Sequence, residues 1–119
     1  MNYEDLDVFK NSHEIVLEIY KITNNFPKEE KYRLIDQMIR AAYSIPSNIA
    51  EGNSRNTTKE YINYLHMSIG SINELKYFLL LSKDLKYISS EKYSELKEKC
   101  VIVIKQLNGL IKSLKNKLN

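Results

Sequence analysis

Between residues 96 and 118 an apolar side chain returns every three or four positions: Leu96, Cys100, Val103, Ile104, Leu107, Leu110, Ile111, Leu114 and Leu118. That spacing gathers them on one stripe of an α-helix, whereas on a strand it would scatter them over both faces. Val101 and Ile102 point away from the stripe. Ser89 or Ser90 suits the N-cap, and Glu91 in the first turn complements the helix dipole. Three earlier segments carry the same periodicity. Residues 5–25 present Phe9, Val16, Ile19, Tyr20 and Ile22 and stop at the breaker Asn24-Asn25-Phe26-Pro27. Residues 28–52 present Leu34, Met38, Ala41, Ala42, Ile45 and Ile49. A third segment runs from Thr57 to residue 83 or 85. The chain holds only 3 glycines and 2 prolines, too little punctuation for a sheet protein with its many turns. Short connections favour antiparallel neighbours, so the expected fold is all-α, an up-down-up-down four-helix bundle made by one domain over residues 1–119.

Two local features refine that picture. Pro46 falls inside the second periodic segment. A proline there removes a backbone donor and clashes with the preceding turn, at about 3 kcal/mol unless a kink absorbs it. The stripe stays in phase on both sides, which predicts one helix kinked at Pro46, capped by Gly52 in a left-handed conformation. The third helix opens on Thr57-Thr58-Lys59-Glu60, a capping box in which Thr and Glu satisfy free backbone donors. It then carries two stripes. Tyr61, Ile62, Leu65, Ile69, Ile72, Leu75 and Leu79 form one; Met67, Phe78, Leu81 and Leu85 form another, roughly opposite. A bundle helix needs one apolar face. The second stripe therefore implies either a central, fully buried helix or a subunit contact, and Val101 and Ile102 offer a further contact.

Composition and motifs narrow the function classes. The formal net charge is +3, a poor argument for nucleic acid unless the charge is concentrated. A single cysteine, Cys100, fits a reducing cytoplasm and reads as a buried structural thiol. The acidic, polar start is unlike a signal peptide, and no apolar run reaches the ~20 residues of a membrane span. Di-iron bundles use Glu-x-x-His pairs, but Lys10 and Asn63 stand three positions before His13 and His66. The phosphate-binding, zinc-protease and hydrolase motifs are also missing. The expectation is a non-enzymatic protein without metal or cofactor.

Two polar patterns remain. On the second helix Gln37, Arg40, Ser44, Asn48 and Glu51 recur every three or four residues, with Arg55 just beyond and Glu74 on the third helix. They read either as a functional polar site or, preferably, as an internal network in which Arg40 or Arg55 meets Glu51 or Glu74 and fixes the bundle's register. Ser44 and Asn48 also suit backbone groups loosened by Pro46. From Lys99 onward there is no carboxylate, while Lys105, Lys112, Lys115 and Lys117 accumulate. That is either a phosphate-binding stripe or a solvated face complementing the helix dipole. Lysine-tyrosine neighbours such as Lys76-Tyr77 and Lys92-Tyr93 would allow stacking on bases but more often cover helix ends.

The segment from Gln37 to Gly52, QMIRAAYSIPSNIAEG, followed by Arg55, resembles the hallmark of the four-helix-bundle proteins encoded by 23S rRNA intervening sequences, a family that includes the accessory variability determinant of diversity-generating retroelements. Phe26-Pro27-Lys28-Glu29-Glu30, Glu60-Tyr61 and Gly70-Ser71-Ile72-Asn73-Glu74-Leu75 extend the resemblance over nearly the whole chain. It implies an antiparallel bundle with a bent but continuous second helix, and homopentamers shaped as a barrel with a central channel. For the retroelement member it implies binding to RNA or DNA and to a reverse transcriptase through basic surfaces. That member is markedly basic, so a charge of +3 favours the intervening-sequence branch. No enzymatic activity comes with the resemblance.

Overall fold

A computed structural model describes residues 2–118. A short 3-10 turn, Tyr3–Asp5, precedes helix α1, Asp7–Thr23. Helix α2 spans Asp36–Asn53, α3 Thr58–Asp84 and α4 Ser90–Leu118. Among the described residues there is no strand. α1 packs against α2 and α4, and α3 packs against the same two. Short connections join neighbours, so the four helices form the expected antiparallel square, 49 Å long.

The apolar stripes meet at the axis. Ile15 and Ile19 of α1, Met38, Ile45 and Ile49 of α2, Leu65, Ile72 and Leu79 of α3, and Leu96, Val103 and Leu107 of α4 are almost fully removed from water. At about 1.5–3 kcal/mol for each large side chain buried, this core outweighs any single polar contact. Ser12, Thr23 and Ser82 are buried as well, and each donates its hydroxyl to a carbonyl of the preceding turn. Burial therefore leaves no side-chain donor among them unpaired.

Helix ends follow local chemistry. Thr57 accepts the backbone N–H of Glu60 at 3.1 Å, and Ser89 accepts that of Lys92 at 3.0 Å. α3 stops in a Schellman arrangement: Tyr87 N–H donates to the Ser82 carbonyl and Lys86 N–H to that of Lys83. Lys86 takes the left-handed position with φ 65°, where glycine would be unstrained.

Two expectations about α2 change. Its N-terminal part is not regular α-helix: Lys28–Glu30 is a 3-10 turn and Lys31–Ile35 a wider π turn. Gly52 is not a left-handed cap either, because no glycine in the described residues has positive φ and α2 continues to Asn53. The reason for the glycine is proximity. A Cβ at position 52 would lie 2.7 Å from Tyr64 Cβ, 2.9 Å from Tyr61 Cδ1 and 3.2 Å from the Tyr61 carbonyl oxygen. α3 passes too close for any side chain.

Pro46 lies within continuous α2. The Ser44 hydroxyl donates to the Arg40 carbonyl at 2.7 Å and the Asn48 amide to the Ser44 carbonyl at 2.8 Å. The carbonyl that loses its helical donor to a proline at 46 is that of Ala42, so these two side chains reinforce neighbouring turns and do not replace the missing bond.

Candidate binding surfaces

The hallmark segment is mostly packing. Ala41, Ala42, Ile45, Pro46, Ile49 and Gly52 are all buried. Ser68 of α3 donates its hydroxyl across the seam to the Ile45 carbonyl at 2.9 Å. Small residues on α2 let α3 approach closely, and the serine fills the approach with a hydrogen bond.

The polar residues beside that segment do not form the expected internal network. Gln37, Arg40, Glu51, Arg55 and Glu74 are exposed, and Ser44 and Asn48 half-buried. Arg40 pairs with Asp36 one turn earlier at 3.3 Å, and not with Glu51 or Glu74. Arg55 does pair with Glu51, at 3.7 Å. Its guanidinium also covers the Tyr64 ring and donates to the Tyr64 hydroxyl. That hydrogen bond, and then the Glu51 carboxylate, raise the Arg55 pKa above its ordinary value. Glu74 takes part in no ion pair among the described residues. These are local surface pairs of the kind worth about 0–1 kcal/mol each. Register is instead set by close packing at Gly52 and Ser68.

The second stripe of α3 is not buried inside the chain. Met67 is 54% exposed and Leu85 44%, while Phe78 and Leu81 are half-covered. Phe78, Leu81 and Leu85 line a groove of about 360 Å³ between α2 and α3, completed by Glu30, Tyr32, Arg33, Leu34 and Gln37. Ile102, 42% exposed, lines a second groove of about 350 Å³ between α1 and α4 with Lys10, Asn11, Glu14 and Lys99. Val101 is half-buried and does not line that groove. In the square of helices these two grooves lie on opposite sides. Tyr20, expected on the apolar stripe of α1, is instead 48% exposed, and Leu17 and Tyr43, which belong to no expected stripe, are also large and about half exposed. Leu17 of α1 carried a signal, since it lies off that helix's buried stripe.

α4 segregates its charge. Lys92 and Lys99 reach Glu18 of α1, at 3.5 and 3.9 Å, and Glu95 at the same distances. Burial works against the Lys92 charge, yet Glu18 and Glu95 outweigh it and raise the pKa. Lys105, Lys112, Lys115 and Lys117 are all exposed, and no ion pair among the described residues includes them. Lys83 and Lys97 flank the Tyr93 ring, so that tyrosine is already occupied by cations of its own chain.

Little here supports acid-base chemistry. Cys100 is fully buried, and burial pushes its thiol up to about 12 despite the opposing charge of Lys76. His13 stacks on Phe9 with centroids 6.4 Å apart. His66 is exposed on α3. Among the described residues no three of His, Cys, Asp and Glu gather around a point where a metal would sit, and no helix is long and apolar enough to cross a membrane.

Comparison with known proteins places these surfaces in context. A family model described as 23S rRNA-intervening sequence protein matches residues 4–109. The match takes in the whole hallmark and ends before Lys112, Lys115 and Lys117. A crystal structure of a protein of unknown function from the S23 ribosomal protein family of Bacteroides thetaiotaomicron is similar with a TM-score of 0.83. It is 26% identical over 94% of this chain and 99% of that one. No curated protein matches.

Proposed function

The chain belongs to the 23S rRNA-intervening sequence protein family, and from that premise we propose a non-enzymatic module that assembles with copies of itself and binds structured RNA or other nucleic acid through the lysines of α4. The observation that carries the binding is the segregation of charge on that helix. Lysines facing α1 are neutralised by Glu18 and Glu95, whereas Lys105, Lys112, Lys115 and Lys117 are exposed without a carboxylate partner. Unneutralised lysines aligned on a rigid helix can displace counterions from a phosphate backbone.

Assembly is supported by where the apolar residues fall. A closed ring needs two different complementary patches on each subunit. Phe78 and Leu81 line the α2–α3 groove, and the exposed Met67 is in helical phase with them on α3; Val101 and Ile102 are on α4, with Ile102 in the α1–α4 groove. Joining one side to the other, head to tail, covers both, and five copies would match the barrel that the resemblance implies.

The binding reading is tested by fluorescence anisotropy with a structured RNA at ~50 mM salt. Changing Lys105, Lys112 and Lys115 together to Ala is expected to weaken binding and flatten its salt dependence by about 0.9 in slope for each lost phosphate contact. Absence of binding by the wild type sinks the reading. A second reading, a protein-only scaffold, draws on the α2–α3 groove, whose Leu34, Phe78, Leu81 and Leu85 would accept the apolar face of a partner helix, such as one from a reverse transcriptase. A complex with such a partner that survives nuclease would favour it.

A further inference from the structure

One charge interrupts the second stripe of α3. At 100° per residue Met67, Phe78 and Leu81 fall within a sector of about 60°, and Glu74 falls inside it. Glu74 is exposed and takes part in no ion pair among the described residues. In water a carboxylate at that place is well solvated. Once a partner covers the stripe, the carboxylate loses that hydration, and a covered charge without a counter-ion is strongly unfavourable. The surface that covers this stripe therefore has to bring a cation to Glu74.

The opposite side of the bundle carries such a cation. The groove around Ile102 is lined by Lys10, Glu14 and Lys99, two ammonium groups against one carboxylate. Lys99 is drawn to Glu18 and Glu95, each at 3.9 Å. Lys10 is exposed and joins no ion pair among the described residues. The heights agree as well. Lys83 lies over the Tyr93 ring at 4.7 Å, and Lys76 lies close enough to Cys100 to act on its thiol. Since α3 and α4 are antiparallel, Glu74 stands at the level of Ile102. Asn11 of α1 donates to Gln106 at 3.0 Å, which sets Lys10 beside Leu107, about 7.5 Å along the axis from Ile102.

In a closed ring whose helices run along its axis, every copy stands at the same height. The Glu74 of one copy then faces the Ile102 groove of the next, with Lys10 about one and a half turns away along the axis. We infer that Glu74 of one copy pairs with Lys10 of its neighbour, and that this ion pair selects which two sides join and in which register. Apolar contact alone would tolerate a slip by a turn, whereas a paired charge holds one register. Two α3 stripes packed centre to centre would set carboxylate against carboxylate, so the same charge disfavours a face-to-face dimer. This rests on the assembly reading above and names the residues that make the assembly specific.

The test is sedimentation velocity on the full chain over a concentration series, with Glu74→Lys, Lys10→Glu and the two combined. Each single substitution opposes like charges and is expected to raise the dissociation constant of assembly about tenfold or more. The combined variant restores the pair with its signs exchanged and is expected to return to within about threefold of the wild type. The two single substitutions move the net charge in opposite directions, and the combination restores +3, so a shared loss followed by recovery cannot come from net charge. Glu74→Gln, which keeps the shape and removes the charge, should fall between the wild type and Glu74→Lys. Circular dichroism checks that every variant folds. Single variants that assemble as tightly as the wild type overturn the inference and leave the assembly reading standing. Single variants that dissociate without recovery in the combined variant overturn the pairing of these two residues. A wild type that sediments as a single chain overturns both readings.

Discussion

Gly52 illustrates how a residue can be legible as special while its reason is not. Its place at the end of an apolar stripe suggested a left-handed cap, but the backbone there is helical and the constraint is Tyr64 Cβ, which would stand 2.7 Å from a new Cβ. A close approach between two helices leaves no trace in the local pattern of either. Gly52→Ala is expected to lower stability by about 1–3 kcal/mol through overpacking. Gly70→Ala, where an added Cβ meets nothing within 4 Å, should raise it by about 0.5–1 kcal/mol as an ordinary helix-interior replacement. Urea denaturation reads both, and the opposite signs are the informative result. Cys100 was legible for the right reason, because it continues the apolar stripe of α4. Burial raises its pKa from 9.0 to about 12. Below pH 9 folded and unfolded chains both hold the thiol proton, so this stability is fully present. As pH rises past 9 the unfolded chain loses the proton first, and stability falls by up to about 1.4 kcal/mol per unit until the folded thiol ionises. Denaturation midpoints between pH 8 and 10.5 should therefore fall more steeply in the wild type than in Cys100→Ala.

At the level of elements, the four helices and most of their ends could be read because stripe, cap and breaker agreed. The Thr57 cap and the Ser89 cap both hold the expected backbone donors. The polar line of α2 was read as internal because a three-to-four spacing beside an apolar stripe does not say how far a neighbouring helix reaches over it. In the structure its charged members stay at the surface, with Asp36, Glu51 and Tyr64 as partners of the two arginines. The second stripe of α3 was read correctly as surplus to a bundle helix, and its exposure removes the fully buried alternative within the chain. The end of α3 carried no sequence signal, since Lys86 stands where glycine or asparagine is usual. Lys86→Gly should relieve left-handed strain and raise the melting temperature, by an amount corresponding to about 1 kcal/mol. An unchanged or lowered melting temperature would show that the lysine side chain compensates for its backbone.

For the whole molecule, the bundle was legible and its outward-facing partners only partly so. Periodicity reports what the core covers. It is silent on which exposed apolar residues lie together, and only the packing order of the helices puts Phe78 and Leu81 opposite Ile102. It is silent on Leu17 and Tyr43 and puts Tyr20 on the buried stripe, whereas all three are about half exposed. Charge shows the same division. The lysines of α4 are visible in the sequence, but only the structure separates those paired with Glu18 and Glu95 from those left open. In the proposed head-to-tail assembly the lysines of α4 would recur around a common axis, so substitutions that break the assembly are expected to weaken binding as well. Sedimentation velocity at micromolar concentration examines this most directly. The wild type is expected to sediment as a closed oligomer, at five copies about 70 kDa against 14.0 kDa for one chain. Met67→Glu and Ile102→Glu, each on an exposed residue of one of the two sides, are each expected to sediment as single chains. A wild type that sediments as a single chain, or an oligomer indifferent to both substitutions, would contradict assembly through these sides.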